Sequence, residues 1–382
     1  MEQHPDLAYW LALRRAGLGA TNFALLLARF QTVEAAWRAS SDQLASAGIE
    51  PQYVRAAIKA RASFDGEREL ALMAEHGAYA LTWLDEGYPA NLRDIPQSPP
   101  VIFVRGAAGP QFDQAVAVVG TRHVTPYGRQ AAEHFCAALA HAGVAIISGL
   151  ARGVDAIAHR VAIENSAPTV AVLAGGIDQV YPRENAGLAE RIIESGCLVS
   201  EYPVGIPARR DYFPRRNRIL SGLARATLLI EAGEGSGALH TANWAFEQGR
   251  DVFAIPGSIF SRQSQGTNQL IRENTAKLVA TPEQLCQELN LLGAGVQPAM
   301  PFGSPRQAQP RTQAIEPVAP QRKASPPTGG HPLLRLLESG PLHVDEVARA
   351  AGLPIAEVSA SLQILELEGR VRTSGPMTYA RA

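Results

Sequence analysis

The sequence predicts a doubly wound α/β sheet as the largest part of this 382-residue chain. Between residues 100 and 290, short apolar segments alternate with amphipathic ones, a pattern typical of buried parallel strands joined by helices. Four of the apolar segments run straight into glycine, at Gly120, Gly149, Gly175 and Gly233. Because parallel strands end along one edge of a sheet, we expect these turns to line a ligand-binding crevice.

We predict six strands in this region, with helices between them. The strands are expected near residues 115–119, 144–148, 169–174, 198–201, 226–231 and 251–255. The helices are expected at Tyr127–Ala142, Val154–Glu164, Ala186–Glu194 and Gly237–Gln248.

The flanks of the chain have a different character. Apolar residues recur at helical spacing through residues 6–80, and Ser40–Gln43 supplies an N-cap signal. Short helices with tight glycine turns resemble helix-hairpin-helix or sterile-alpha-motif (SAM) modules, which hold a DNA backbone or serve as packing units. The sequence leaves these two roles open.

Beyond the sheet, residues 297–330 are rich in proline and indicate a linker without a core. Residues 331–382 then predict helices followed by a short hairpin, the pattern of a winged helix. Its third helix carries Glu357, Glu366 and Glu368, which favours a protein partner over duplex DNA. The predicted domains are a helical domain like SAM or helix-hairpin-helix modules (1–84), a Rossmann-like domain (85–292), a Pro-rich linker (293–330) and a winged helix (331–382).

Composition excludes several classes of protein. The 35 basic and 36 acidic residues nearly cancel, so any site for a polyanion must be a local cluster. Cys136, Cys197 and Cys286 are widely spaced, which argues against disulfides and a cysteine metal site. No signal peptide or apolar run of about 20 residues is present. We therefore expect a cytoplasmic protein that does not cross a membrane.

The densest local cluster of positive charge lies in residues 207–223. Five arginines against one aspartate give this segment a net charge of +4, and Tyr212 and Phe213 lie among them. Cations beside aromatic rings suit single-stranded nucleic acid, with charge along the phosphates and flat faces for the bases. Arg216 and Arg218 cannot face the same way on the helix that follows, so we expect one to face phosphate and one to be structural.

Other residues at the predicted strand ends suit an anion as well. Gly120, Thr121 and Arg122 follow the first strand of this α/β region and offer amides, a hydroxyl and a guanidinium group to one phosphate. The second strand leads into Ser148, Gly149 and Arg152, which strengthen this signal. A glycine-rich turn later in the sheet contains Gly235, Ser236 and Gly237.

Signals for catalysis or cofactors are weak. Asp155 and His159 stand four residues apart and suggest either a general base or a pair that pins a loop. There is no P-loop, the glycine-rich turn lies too late for a dinucleotide site, and the histidines lack metal-ligand spacing. We predict no cofactor, no metal and no catalytic residue.

Together these segments resemble the DNA-processing protein A family, known as DprA or Smf. The residues that carry the resemblance are Val118–Arg122, Ser148–His159, Leu173–Asn185, Ser200–Pro203, Phe213–Leu223, Gly235–Gly237, Ile255–Ser258 and Gln265–Ile271. The resemblance implies an extended Rossmann fold that binds single-stranded DNA, protects incoming DNA in natural transformation and competence, loads the RecA recombinase and forms homodimers. It places the phosphate pocket at Gly120, Thr121, Arg122, Phe213, Arg216, Asn217 and Arg218, with Arg210 as a further cation.

Two alternatives remain open at this stage. Similar glycine-rich sheets belong to nucleoside-monophosphate phosphoribohydrolase-like enzymes, for which Glu201 or Glu231 would be the acid. The glycine turn at 232–237 departs from the phosphate turn of such hydrolases. The third possibility is a regulator that binds duplex DNA through the winged helix.

Overall fold

A computed structural model describes residues 6–107, 112, 114–291, 332–375 and 377–382. The predicted linker at 293–330 lies outside the described residues. The chain divides into two compact units, Met1–Pro301 and Phe302–Ala382.

The first unit contains fourteen of the described helices. Six form the N-terminal region: α1 (Leu7–Arg15), α2 (Ala20–Phe30), α3 (Val33–Arg38), α4 (Ser41–Ser46), α5 (Pro51–Arg61) and α6 (Gly66–Glu75). The others are α7 (Ala90–Arg93), α8 (Pro126–His141), α9 (Val154–Glu164), α10 (Ala186–Ser195), α11 (Tyr212–Leu223), α12 (Gly237–Glu247), α13 (Gln265–Arg272) and α14 (Pro282–Glu288). Ser40 and Gln43 form the predicted cap of α4 as a reciprocal capping box.

Nine strands form one mixed sheet in this unit. They are β1 (Ala78–Thr82), β2 (Val101–Gly106), β3 (Val116–Val119), β4 (Ile146–Ser148), β5 (Thr169–Val172), β6 (Cys197–Ser200), β7 (Ala226–Leu229), β8 (Asp251–Ala254) and β9 (Lys277–Leu278). Their order is β1-β2-β6-β5-β4-β3-β7-β8-β9. In this spatial order, all neighbouring strands from β6 through β9 pair in parallel. At the other end of the sheet, β1 pairs with β2 and β2 pairs with β6 in the antiparallel direction.

The doubly wound sheet and its six predicted strands are confirmed. Strands β3 to β7 are buried at every residue, as expected for parallel strands covered on both faces. One face packs against α11 and α12, and the other packs against α8 and α9.

The sequence interpretation missed three strands, β1, β2 and β9. The range interpreted as helical extends to residue 80, and the expected boundary at 84 places β1 with the helices. In the structure β1 instead pairs with β2 from Ala78–Arg105 to Thr82–Val101. The N-terminal helices also share a core with this end of the sheet, where Trp10 and Phe23 belong to the same apolar cluster as Phe103.

The second unit has the helix and wing pattern predicted for it. Its helices are α15 (Pro332–Leu336), α16 (Val344–Ala351) and α17 (Ile355–Leu367), and its strands are β10 (Leu342–His343), β11 (Val371–Gly375) and β12 (Thr378–Arg381). The strand order is β10-β12-β11. Leu333, Val347 and Leu362 belong to a core of its own.

Candidate nucleic-acid interface

The strand order of the large sheet reverses beside β3. The chain runs from β3 through β4 and β5 to β6 on one side, then returns to β7, β8 and β9 on the other. In open α/β sheets, ligands bind outside the carboxyl ends of the strands at such a switch point. The turns that follow β3 and β7 line a crevice of about 930 Å³ at this place.

We call this cavity the arginine crevice. Ten of the fourteen predicted site residues line it: Gly120, Thr121, Arg122, Arg210, Phe213, Arg216, Asn217, Gly235, Ser236 and Gly237. The structure adds seven polar or aromatic residues that are not among the predicted site residues: His123, Asp155, Tyr181, Glu234, His240, Thr241 and Gln263. The crevice therefore assembles segments that are far apart in the sequence.

Arg122 and Arg210 are the exposed cations of the crevice. Neither guanidinium group forms an ion pair with a carboxylate among the described residues. The Cζ atom of Arg122 lies 5.6 Å from the ring centroid of Phe213, a cation–π arrangement that keeps the charge beside an aromatic face. Both charges are thus available to an anion.

The Thr121 amide has a different role from the one expected. Its N–H donates a 2.8 Å hydrogen bond to the backbone oxygen of Glu231. The Thr121 hydroxyl accepts from the backbone N–H of His123 at 3.1 Å. These bonds fix the turn that presents Arg122, so Thr121 shapes the site and its amide is not free for phosphate.

Arg216 is buried under the crevice, with 5% of its surface exposed. Its Nη1 donates to the backbone oxygens of Gly149, at 2.8 Å, and Val172. Burial lowers the pKa of Arg216 to about 10, against the opposing effect of Asp155 and with a further lowering by Arg122. The guanidinium group is therefore still charged at neutral pH, and it adds positive potential beneath Arg122.

Asn217 links this arginine to the glycine-rich turn. Its side-chain oxygen accepts from Nε of Arg216 at 3.2 Å, and its Nδ2 donates to the backbone oxygen of Gly237 at 3.1 Å. Arg216 and Asn217, which are adjacent in the sequence, thus connect the two sides of the crevice.

The glycine-rich turn presents the N-terminus of α12 to the crevice. Ser236 caps this helix by accepting from the amide of Ala238 at 3.3 Å. Gly235 has a φ of +70°, and a Cβ at either Gly235 or Gly237 would meet open space. The unshielded helix N-terminus carries a partial positive charge that favours an anion.

Phe213 and Tyr181 form the aromatic part of the site. Their ring centroids lie 5.6 Å apart with an interplanar angle of 67°, and 54% of Tyr181 is exposed. Phe213 also lies beside Arg216, whose Cζ is 5.9 Å from its centroid. The rings and guanidinium groups together give the charge and flat faces that unstacked nucleotides require.

Four predicted site residues do not line the crevice. Arg218 is buried and its Nη2 donates to Glu201 at 2.6 Å, on the side of α11 away from the crevice that Arg216 lines. The buried Ser148 hydroxyl donates to the backbone oxygen of Val118 at 2.7 Å. Gly149 lies under the crevice, where its carbonyl accepts from Arg216.

Arg152 is exposed and forms a two-bond ion pair with Glu184, at 2.7 and 2.6 Å. It lines a small adjoining cavity with Arg122, Tyr181 and Phe213. The exposed carboxylate of Glu184 partly neutralises the positive charge of Arg152.

Asp155 and His159 do not bond to each other. Asp155 accepts from the amides of Gly149 and Ala151, at 3.1 and 3.3 Å, and so pins the loop after β4. His159 donates from Nδ1 to the Thr169 hydroxyl, which itself donates to Ile146. Burial lowers the pKa of His159 to about 3. The predicted Asp155–His159 pair is therefore wrong, since Asp155 alone pins the loop, and this geometry does not support the general-base interpretation.

The two candidate acids of the enzyme alternative lie apart. Glu231 is buried and accepts from the Thr125 hydroxyl and amide at 2.6 and 3.0 Å, which fixes the start of α8. Glu201 lines a different cavity and pairs with Arg218. Neither carboxylate lines the arginine crevice. Among the residues that the structure describes, no cluster of His, Cys, Asp or Glu could hold a metal ion.

The sheet, its switch point and the crevice define an α/β protein of the Rossmann-like class with an arginine-lined binding edge. The chain belongs to the DNA recombination-mediator protein A family, also called DprA or Smf. The family model matches residues 79–290, and a model of the DprA winged helix domain matches residues 317–375. The family assignment and the winged helix predicted from the sequence are both confirmed.

Relatives match the chain over most of its length. Protein Smf of Synechocystis is 33% identical over 98% of this chain and 99% of its own. The X-ray structure of DNA processing protein A from Streptococcus pneumoniae superposes with a TM-score of 0.64 at 31% identity, over 75% of this chain and 99% of that one.

A second solved structure concerns nucleic-acid binding. DNA processing protein A from Helicobacter pylori has a TM-score of 0.51 and 26% identity, over 56% of this chain and 95% of that one. Its description names a single-stranded DNA binding mode. In the described part of the present chain, we find no helix long and apolar enough to span a membrane.

Proposed function

We propose that this protein is a non-catalytic, cytoplasmic single-stranded DNA-binding protein that binds DNA in the arginine crevice. The observation that carries the proposal is the convergence of Arg122, Arg210 and Arg216 around Phe213 at the switch point of the sheet. Guanidinium groups grip the sugar–phosphate backbone without reading sequence, and an aromatic ring accepts any base.

The geometry favours a single strand over a duplex. Phe213 and Tyr181 lie inside the crevice and among the cations, where a base can reach them only when it is unpaired and unstacked. The Helicobacter pylori relative, whose description names single-stranded DNA binding, supports the same assignment.

The direct test compares ligands by fluorescence anisotropy. Labelled oligo-dT should bind more tightly than a duplex of equal length, and binding should weaken steeply with salt because it releases counterions. Equal affinity for the two ligands, or binding insensitive to salt, would contradict the proposal.

We further propose that the bound strand is protected and then passed to the RecA recombinase during natural transformation. Membership of a recombination-mediator family supports this step. The protein should slow nuclease digestion of oligo-dT and shorten the lag of RecA filament growth on strands coated with single-strand binding protein. An unchanged lag would refute the loading role and leave the binding role intact.

A homodimer is the proposed state of assembly, because the family commonly works in this form. Multi-angle light scattering should give twice the chain mass of 40.8 kDa. A single-chain mass at micromolar concentration would contradict it.

The absence of catalysis is proposed because the two candidate acids have structural partners. Glu231 fixes Thr125, and Glu201 faces Arg218. Incubation with AMP should release no adenine detectable by chromatography. Release of adenine in proportion to enzyme concentration would favour the phosphoribohydrolase alternative.

A further inference from the structure

A second cavity of about 830 Å³ lies between the N-terminal helices and the sheet. Helix α11 separates it from the arginine crevice. Phe213, Arg216 and Asn217 line the crevice, whereas Tyr212, Arg215 and Arg218 line the second cavity. We call it the N-terminal cavity, because Arg14 of α1 forms part of its wall.

The N-terminal cavity contains more positive than negative charge close to its wall. Glu201 pairs with two guanidinium groups, with Arg218 at 2.6 Å and Arg14 at 3.6 Å. The side chains of these three residues are only 7 to 14% exposed. Glu50 also lines the cavity, but among the described residues it forms no ion pair with Arg14 or Arg218. One carboxylate cannot neutralise two arginines, so one buried positive charge lacks a carboxylate of its own, which is unfavourable without an anion.

Two buried guanidinium nitrogens in this group have no hydrogen-bond partner. They are Nε of Arg14 and Nη1 of Arg218. Arg218 is 8% exposed overall, and both residues line the cavity. Buried polar groups in native proteins are almost always paired, so these two unpaired donors leave the positive charge behind the cavity wall poorly compensated.

Aromatic rings stand beside these donors. Tyr202 and Tyr212 stack with centroids 4.1 Å apart and an interplanar angle of 14°, and both line the cavity. The Cζ atom of Arg14 lies 6.0 Å from the Tyr202 centroid. Arg215, which is exposed, completes the cationic side of the cavity. Arg209 lies over the Tyr212 ring, with its Cζ 5.2 Å from the centroid, and Tyr202 is buried, so the rings hold the guanidinium groups in place and leave no face free for a base. The guanidinium groups at the cavity match the phosphate of a nucleotide.

We propose that the N-terminal cavity is a second nucleotide-binding site, which holds a nucleotide phosphate with Arg14, Arg215 and Arg218. The assignment does not depend on DNA binding in the arginine crevice. The nucleotide is either free or part of a strand that crosses the N-terminus of α11 from the crevice. The chemistry that recognises it is the same in both cases.

The test titrates the full-length protein with dAMP by calorimetry. Arg215→Gln removes an exposed cation of the cavity without disturbing the core and should weaken dAMP binding roughly tenfold, as expected for one charge-assisted contact. Arg191→Gln is the matched control, since Arg191 is an exposed arginine on α10 that lines neither cavity. It should leave dAMP binding unchanged.

A second variant tests the charge argument in the opposite direction. Glu201→Gln removes the carboxylate that competes with the ligand for Arg14 and Arg218, and should therefore strengthen dAMP binding several-fold. If Glu201 only stabilises the fold, this variant should bind dAMP more weakly or not at all. That result would count against the proposal.

Arg122→Ala separates this site from the crevice. The Arg122→Ala variant should bind dAMP as tightly as the wild type does. It should instead bind oligo-dT more weakly. The proposal is overturned if dAMP binding disappears in Arg122→Ala and is unaffected by Arg215→Gln. It is also overturned if the wild type binds no dAMP and its oligo-dT affinity does not depend on Arg215.

Oligo-dT distinguishes the two sources of the nucleotide. If Arg215→Gln weakens long oligo-dT and dAMP alike, the cavity takes a nucleotide of the bound strand. If it weakens dAMP alone, the cavity takes a free nucleotide. Both results support the proposed site.

Discussion

The guanidinium group of Arg216 lies directly against the α-carbon of Gly149. Its Nη1 donates a 2.8 Å hydrogen bond to the Gly149 carbonyl, and a Cβ on Gly149 would lie 2.6 Å from Nη2. Glycine is thus required after β4 because an arginine from α11 occupies the space of a side chain. The contact joins two segments that are 67 residues apart.

Gly149→Ala should therefore displace Arg216 and weaken oligo-dT binding roughly tenfold, because one charge-assisted interaction is lost. Fluorescence anisotropy measures the effect. Gly187→Ala is the matched control, since Gly187 lies in α10 and a Cβ there meets nothing within 4 Å. Equal affinities of both variants and the wild type would show that Arg216 does not contribute.

Arg122→Ala should weaken oligo-dT binding and reduce the salt slope of log K by about 0.7, the value for one phosphate on a single strand. The reason is that Arg122 is exposed in the crevice without a carboxylate partner. Titrations at several salt concentrations measure the slope. Arg191→Ala, an exposed arginine on α10, should change neither quantity. An unchanged slope in Arg122→Ala would refute the phosphate contact.

Phe213→Ala should cost about 1–3 kcal/mol of oligo-dT binding free energy through lost base stacking. Its salt slope should match the wild type, since no charge is removed. Phe246→Ala is a suitable control because Phe246 is 60% exposed on α12 and lies outside the crevice. A reduced slope in Phe213→Ala would mean that the ring acts through the neighbouring guanidinium groups and not through a base.

Stability should fall below neutral pH because of His159. Its pKa is about 3 in the folded protein and 6.5 as a model value, so below pH 6.5 the unfolded chain binds a proton that the folded chain does not. The unfolding free energy attributable to this group should drop by about 2 kcal/mol from pH 7 to pH 5. Urea denaturation of the wild type and His159→Asn measures the difference. A variant that loses as much stability as the wild type over this range would contradict the prediction.

Deleting residues 331–382 should leave oligo-dT affinity unchanged. Glu357 and Glu368 of the winged helix are exposed, and Glu366 accepts from the Thr373 hydroxyl of the wing at 2.6 Å. Carboxylates on this helix repel phosphates, which favours a protein partner. Parallel titrations with oligo-dT and duplex test this. A selective loss of duplex affinity would instead support the winged helix as a duplex-binding module.

The sequence predicts the parallel part of the fold well because its signal is local. Each apolar run from β3 to β8 is short, β-branched and followed by a turn, so strand identity can be recognised within a few residues. Strand β1 lacks this signal, since Ala78–Thr82 follows helices and has two alanines. Its strand conformation depends on pairing with β2, a tertiary contact that periodicity does not encode.

The site was predictable in its residue types but not in all its roles. The spacing of Arg216 and Arg218 predicts that they face different ways, and the structure agrees. That Arg218 pairs with a carboxylate and lies outside the arginine crevice depends on Glu201, which lies 17 residues away on another segment. The inclusion of Tyr181 likewise depends on a loop that reaches Phe213 in space, for which the sequence carries no local signal.

The antiparallel β1–β2 pair ties the N-terminal helices to the sheet, where Trp10, Phe23, Phe103 and Leu198 share one apolar cluster. Unfolding of the helices would expose apolar residues of the sheet to water, and unfolding of the sheet would expose the apolar residues of the helices. The two regions therefore form one cooperative folding unit. Removal of residues 1–84, which include β1, would leave β2 as an unpaired, apolar edge strand prone to aggregation.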